Sequence, residues 1–282
     1  MIRNEDLKLD VESGVIKKYT DISQIDASSP FKLLEQADGA YIKQKIEMFE
    51  LITGCETKNR YAICLKINGW SYLYKAFKCK EESSWCMRNC CSGESREFKM
   101  LIKYSPNGLY DKGDNYNSNL FAELDRPYKC TCFNLNRPEL SVRITDGTNL
   151  GKISEPFSCS RVLVDIRNGN GELKYKIDID RSQPGITCRA FTCGAIESVD
   201  FPIQNINKMT GESVLDGEIK RMGRSYSDAV IGNDADCFDI IFPKNATPEE
   251  KFLILSSTLL IDFRYFEDTE KEEPNYVRNI IL

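Results

Sequence analysis

Residues 251 to 266, KFLILSSTLLIDFRYF, are the most apolar stretch of the chain, and any fold must find cover for them. The uncharged part, Phe252 to Ile261, is ten residues long. As a helix it rises ~15 Å, against ~30 Å for the hydrocarbon of a bilayer. Lengthening it through Asp262 and Arg264 would place two charges in lipid, at a few kcal/mol each. A helix buried in protein is the cheaper solution. Phe252, Leu255 and Leu259 share the segment with Ser256, Ser257 and Thr258, which follow one another and so spread over the circumference. Cover is therefore needed on every side. Asp262 and Arg264 are expected near a mouth, where water or partners satisfy them.

The rest of the chain supplies strands. After Gly54 it breaks into short runs rich in aromatic and β-branched residues, separated by Gly, Asn, Asp or Pro. RYAICLKI and WSYLYKAF flank Asn68-Gly69, which suits a tight hairpin turn, and RVLVDIR and ELKYKIDID flank NGNG. Further strands are expected at 97–104, 119–126, 139–145, 193–203 and 237–242. Phe31 to Thr53 carries apolar residues near helical spacing, interrupted by Gly39, and reads as a helical or mixed segment. Residues 1–31 read as a flexible polar leader and 269–282 as a polar tail, with one domain over 32–268 between them. So many evenly distributed strands predict a mainly β fold, a closed antiparallel sheet or a sandwich. One long apolar helix near 249–266 then has an economical place, inside a barrel wide enough to enclose it.

Composition narrows the chemistry. There is no histidine, which removes the commonest general base and zinc ligand and any Ser-His or Cys-His pair, so no covalent catalysis is expected. The formal net charge of -5 is mixed along the chain, and no nucleic-acid partner is expected. The N-terminus has no hydrophobic region of the signal-peptide kind. A cytoplasmic setting follows, in which the twelve cysteines are read as metal ligands, acylation sites or buried side chains and not as disulfides.

Four patterns, LLEQADGAYIKQKIEMFELITGCETKNRY, WCMRNCCSGESREFKM, ELDRPYKCTC and GNDADCFDIIFPKN followed by LLIDFRYFE, occur in the order in which the phospholipid scramblase family carries them. Over roughly residues 33 to 267 the chain resembles that family. The resemblance implies a tubby-like closed antiparallel barrel of about twelve strands around a hydrophobic C-terminal helix. It also implies ATP-independent, bidirectional, Ca²⁺-responsive movement of phospholipids between bilayer leaflets. The alternative is a peripheral lipid-binding or adaptor protein with the same barrel and no transport activity, since fold alone does not decide function. Membrane phospholipids are the implied partners. The implied location is the cytoplasmic face of the plasma membrane or another cellular membrane, reached by a lipid anchor or a single-pass C-terminal segment.

Site residues follow by position. Asp234 to Asn245 aligns with the family's twelve-residue Ca²⁺ loop, with Asp234, Asp236, Phe238 (through its carbonyl), Asp239 and Asn245 at ligand positions. Asp239 stands where the family has glycine and Asn245 where it has an acid, so affinity is expected at the weak end, ~10⁻⁴ to 10⁻³ M. A solvated acidic turn is the plainer reading. Cys130 and Cys132 match a cysteine cluster that the family S-acylates, and two acyl chains would hold a barrel to a bilayer where one would not. Ordinary strand-end cysteines are the alternative there. Cys86, Cys90 and Cys91, with Cys188 and Cys193, are candidates for an all-thiolate zinc site, although paired Cys-x₂-Cys knuckles are lacking.

Overall fold

A computed structural model of the chain describes residues 25–45, 58–67, 72–86, 96–106, 120–129, 137–158, 162–180, 182–187, 198–206, 213–222 and 237–266. Twelve strands close into one antiparallel barrel. They are β1 Ala37–Lys45, β2 Arg60–Ile67, β3 Tyr72–Glu82, β4 Phe98–Tyr104, β5 Leu120–Arg126, β6 Glu139–Ile144, β7 Asn149–Ser154, β8 Val162–Asn168, β9 Leu173–Ile179, β10 Val199–Ile206, β11 Ser213–Met222 and β12 Cys237–Ile241. Each strand pairs with its neighbours in sequence, and β1 pairs with β12 to close the ring, Gly39 opposite Ile241 and Lys43 opposite Cys237. Closure leaves no sheet edge to template aggregation. Helices α1 (Pro30–Glu35) and α2 (Pro248–Tyr265) complete the framework, with a single helical turn at Pro184–Thr187 between β9 and β10.

Of the two readings of residues 31–53, the described residues fit the mixed one and not a continuous helix. Among the described residues there only Pro30–Glu35 is helical, started by Ser29, whose hydroxyl accepts from the Lys32 amide at 3.3 Å. From Ala37 the chain becomes β1, in which Ala40, Ile42 and Gln44 are buried and Tyr41 and Lys43 face outward. That period of two lay under the helical spacing. Gly39 decides the outcome, because a Cβ there would lie 2.2 Å from the Ile240 carbonyl oxygen of β12. Strands β7 and β11, which no run of β-branched or aromatic residues announced, complete the ring.

α2 threads the barrel. Its start is fixed by a capping box, with the Thr247 hydroxyl accepting from the Glu250 amide at 3.3 Å and the Glu250 carboxylate accepting from the Thr247 amide at 3.1 Å. Every side chain from Glu250 to Phe263 is buried. The hydroxyls inside it turn back on the helix: Ser256 donates to the Phe252 carbonyl at 2.9 Å, Ser257 and Thr258 to that of Ile254 at 2.7 and 3.1 Å. No buried hydroxyl of that trio needs water. Phe252 packs edge-on against Phe77 and Phe121, and Phe263 stacks on Phe98 with ring centroids 4.1 Å apart. The wall approaches closely at Gly151 of β7, where a Cβ would lie 3.1 Å from Leu253 and 2.1 Å from the Arg167 carbonyl oxygen. Among the described residues no helix is long and apolar enough to cross a membrane.

Candidate functional site

The barrel has two ends, and α2 polarises them. At the proximal end, where α2 begins, the closing contacts are backbone and cap. Lys251 extends its ammonium to the carbonyls of Leu34, Glu35 and Ala37 at 3.0, 3.2 and 2.9 Å, so that a side chain of α2 ties down the C-terminus of α1. Burial lowers the pKa of that ammonium, opposed by Asp38 and Glu35. Glu250 accepts from the Tyr175 hydroxyl at 3.0 Å and pairs with Lys174 at 2.9 Å. Tyr104 donates to the Ala27 carbonyl at 2.6 Å, which seats the segment before α1 on the same end.

At the distal end the helix finishes among arginines. Glu155, just past β7, takes hydrogen bonds from Arg137 at 2.9 Å, Arg264 at 3.1 Å and the Tyr265 hydroxyl at 3.0 Å. Arg96 pairs with Glu81 at 3.2 Å and lies over the Phe263 ring, while Arg221 lies 4.4 Å from the Phe266 centroid. Both partners of the Arg96–Glu81 pair are buried. Cations here face the carbonyl end of the helix, the favourable sign for its dipole. Asp262 is not at a wet mouth as expected; it is 2% exposed and accepts from the Tyr61 hydroxyl at 2.5 Å. The correction has a physical cause, because the barrel continues past Asp262 and supplies the partner that water was expected to supply. Arg96, Arg137, Arg221 and Glu155 carried no sequence signal as a group, since they are scattered between strands and only the topology brings them together.

The same topology gathers the sequence-predicted residues. The connections β1–β2, β3–β4, β5–β6, β7–β8, β9–β10 and β11–β12 all leave and rejoin the barrel at the distal end. Nine of the twelve cysteines lie on them, at 55, 86, 90, 91, 130, 132, 159, 188 and 193, and none lies on a proximal connection. Cys90, Cys91, Cys130, Cys132, Cys188, Cys193, Asp234 and Asp236 are themselves outside the described residues. Cys86 is exposed with a free thiol. Among the described residues no group of three or more His, Cys, Asp or Glu side chains could hold a metal ion.

The second half of the twelve-residue cation loop lies within the described residues. Cys237–Ile241 is strand β12, laddered to β1 on one side and β11 on the other. Phe238 therefore points into the core, 1% exposed, with its backbone committed to the sheet. Asp239 lies on the outer wall and forms an ion pair with Lys66 of β2, whose side chain passes over Gly39 of the intervening β1. Asn245 sits in an exposed turn beyond the strand. Phe238 and Asp239 are successive residues of an extended strand, so their side chains face opposite sides of the barrel wall.

The model of the family described as Scramblase matches residues 20–268. Curated proteins similar to the chain include mouse phospholipid scramblase 1, 27% identical over 242 residues, which are 85% of this chain and 64% of that protein. Human phospholipid scramblase 1 is 29% identical over 242 residues, 85% of this chain and 66% of that protein. Bovine phospholipid scramblase 2 is 28% identical over 241 residues, 85% of this chain and 72% of that protein. The chain thus spans 64% to 66% of the length of the two type 1 proteins. No solved structure matches it.

Proposed function

The chain belongs to the scramblase family, and from that premise we propose that it acts on membrane phospholipids, moving them between leaflets without ATP and in response to Ca²⁺. The observation that carries this reading is the family match across residues 20–268 together with relatives named phospholipid scramblase. Such work changes no covalent bond. It requires a lower barrier for a polar headgroup crossing hydrocarbon, and a chain without histidine is under no handicap there. The chain works at the cytoplasmic face of the plasma membrane or another cellular membrane, held by acyl chains on Cys130 and Cys132. Asp234 and Asp236 supply carboxylates for Ca²⁺, with the remaining ligands drawn from elsewhere than Phe238 and Asp239.

A second reading, a peripheral lipid-binding or adaptor protein without transport, is favoured by one specific observation: α2 is enclosed from Glu250 to Phe263 and no described helix is fit to span. Reconstitution of the purified chain in vesicles with fluorescent phospholipid, with and without Ca²⁺, separates the two. Ca²⁺-stimulated loss of leaflet asymmetry is the expected result; bound protein without lipid movement leaves the adaptor reading. Replacing Asp234 and Asp236 by Ala should abolish the Ca²⁺ response, while Asp239→Asn should spare it. Hydroxylamine, which cleaves thioesters, should release the cellular protein from membranes if Cys130 and Cys132 are its anchor.

A further inference from the structure

Three large aromatic side chains stand exposed on the distal rim. Trp85 is 62% exposed, Tyr128 52% and Phe157 58%. They belong to the β3–β4, β5–β6 and β7–β8 connections, which are consecutive around that end of the barrel, so they occupy one side of a single rim. Lysines accompany them. Glu82, three residues before Trp85, is shared by Lys58 at 2.5 Å and Lys80 at 3.0 Å. Glu139 is shared by Lys129, the neighbour of Tyr128, at 2.9 Å and by Lys152 at 2.7 Å. Each carboxylate is thus bracketed by two lysines. Between the first two aromatics a groove of about 540 Å³ opens, lined by Ser83, Ser84, Glu97, Lys99 and Asp125 among others.

We propose that this rim is a membrane-docking surface, through which the barrel stands with its distal end on the bilayer and inserts Trp85, Tyr128 and Phe157 at headgroup level. The proposal rests on the lipid reading above and specifies its geometry. Trp and Tyr favour the membrane interface because one edge of each ring is polar and the rest apolar, and lysine stems cover apolar surface while their heads reach anionic headgroups. Hydroxyls and charges of both signs in the groove suit a headgroup carrying an ammonium and a phosphate. The proximal end also exposes apolar residues, Val214 and Leu215 of β11, Leu73 of β3 and Ile241 of β12, but these are all aliphatic.

The chain contains two tryptophans, and they mark opposite ends. Trp85 belongs to the distal rim; Trp70 lies on the proximal connection between Ile67 of β2 and Tyr72 of β3, which are paired with each other. Trp70→Phe and Trp85→Phe variants, made without acyl chains, are added to vesicles of equimolar phosphatidylcholine and phosphatidylserine carrying brominated acyl chains. The expected result is that both variants sediment with the vesicles while bromine quenches Trp85 and leaves Trp70 unchanged. Sedimentation with Trp70 quenched, or with neither quenched, overturns the docking geometry and leaves the lipid reading standing. Failure of the unacylated wild type and both variants to sediment overturns the docking surface; acylated protein that still sediments with the same vesicles leaves the lipid reading standing, and acylated protein that does not overturns that reading as well. Changing Trp85, Tyr128 and Phe157 together to Ser should lower vesicle partition about tenfold or more, since interfacial binding scales with buried apolar area. The Ser variant should melt as wild type does, because the three side chains are exposed, and Val214→Ser with Leu215→Ser should leave partition unchanged. Undiminished partition of the aromatic variant overturns the proposal.

Discussion

The two ends of the barrel close the same helix by different means. The proximal end uses local devices: a capping box at Thr247, a lysine on three carbonyls and short connections such as 169–172, where Asn168 accepts from the amides of Asn170 and Glu172 and Gly171 takes a φ of 81°. The distal end uses buried charge drawn from separate strands, with Glu155 holding Arg137, Arg264 and Tyr265 at once. Local caps stabilise by modest amounts and tolerate loss one at a time. A buried carboxylate shared by two arginines does not, because removing it leaves cations without compensation. The distal end is thus the more brittle, and it is also the end that carries most of the long connections.

Glu155→Ala is the strongest way to break that contrast. It should lower stability by ~3–5 kcal/mol in denaturant titration, since two buried arginines lose their common partner. A loss below about 1 kcal/mol would mean that the distal charges do not hold the end of α2. Lys251→Met tests the proximal counterpart. It should lower stability by ~1–3 kcal/mol, because the carbonyls of Leu34, Glu35 and Ala37 lose a donor while the stem volume is kept. Should it equal or exceed Glu155→Ala, the ranking of the two ends reverses. Thr247→Ala removes a single cap and should reduce stability by ~1 kcal/mol.

The smallest effect is one of pH. Burial, reinforced by the Glu250 carboxylate, raises the pKa of the Tyr175 phenol, whereas an unfolded phenol titrates near ~10. The folded state then keeps a proton that the unfolded state gives up. Its contribution is complete below ~10 and is lost as pH rises above that value. The midpoint of thermal unfolding should therefore fall less steeply between about pH 9 and about pH 11 in Tyr175→Phe than in wild type. Parallel curves would show that the proximal phenol is not held against ionisation. Lys66 and Lys251, whose pKa values burial lowers, act in the opposite direction, but equally in both proteins.

Much of the barrel was legible because its inward faces alternate. β2 reads as exposed and buried by turns from Arg60 to Leu65, and Phe252 to Ile261 declared by composition that it needed cover on all sides. β1 was ambiguous where two periodicities overlap: Leu34, Ala37, Tyr41 and Ile42 fit a helix on paper, and only the approach of the Ile240 carbonyl to Gly39 shows why a strand forms. β7, NLGKIS, was missed because Gly151, which makes room for Leu253, dilutes the pattern of a strand. CFDII was legible as a strand while also falling in the second half of the cation loop, and the pairing of its Asp239 with Lys66 two strands away was not, because the two residues are distant in sequence. The distal arginines were illegible for a simpler reason: neighbours across a barrel are strangers in sequence.

That last fact governs how the chain can be made. The Lys251 bond to Ala37 joins residues 214 positions apart, and the Tyr61 bond to Asp262 spans 201. At ribosomal speeds, roughly 10–40 seconds pass between the appearance of the first strand and that of the helix that fills the barrel. Throughout that interval the wall has no core to close upon, and its strands hold apolar faces toward nothing. Nascent chains of this kind keep those faces exposed until the helix has been made. A nonsense codon anywhere before Pro248 therefore leaves no smaller working piece, only a lining without its filling.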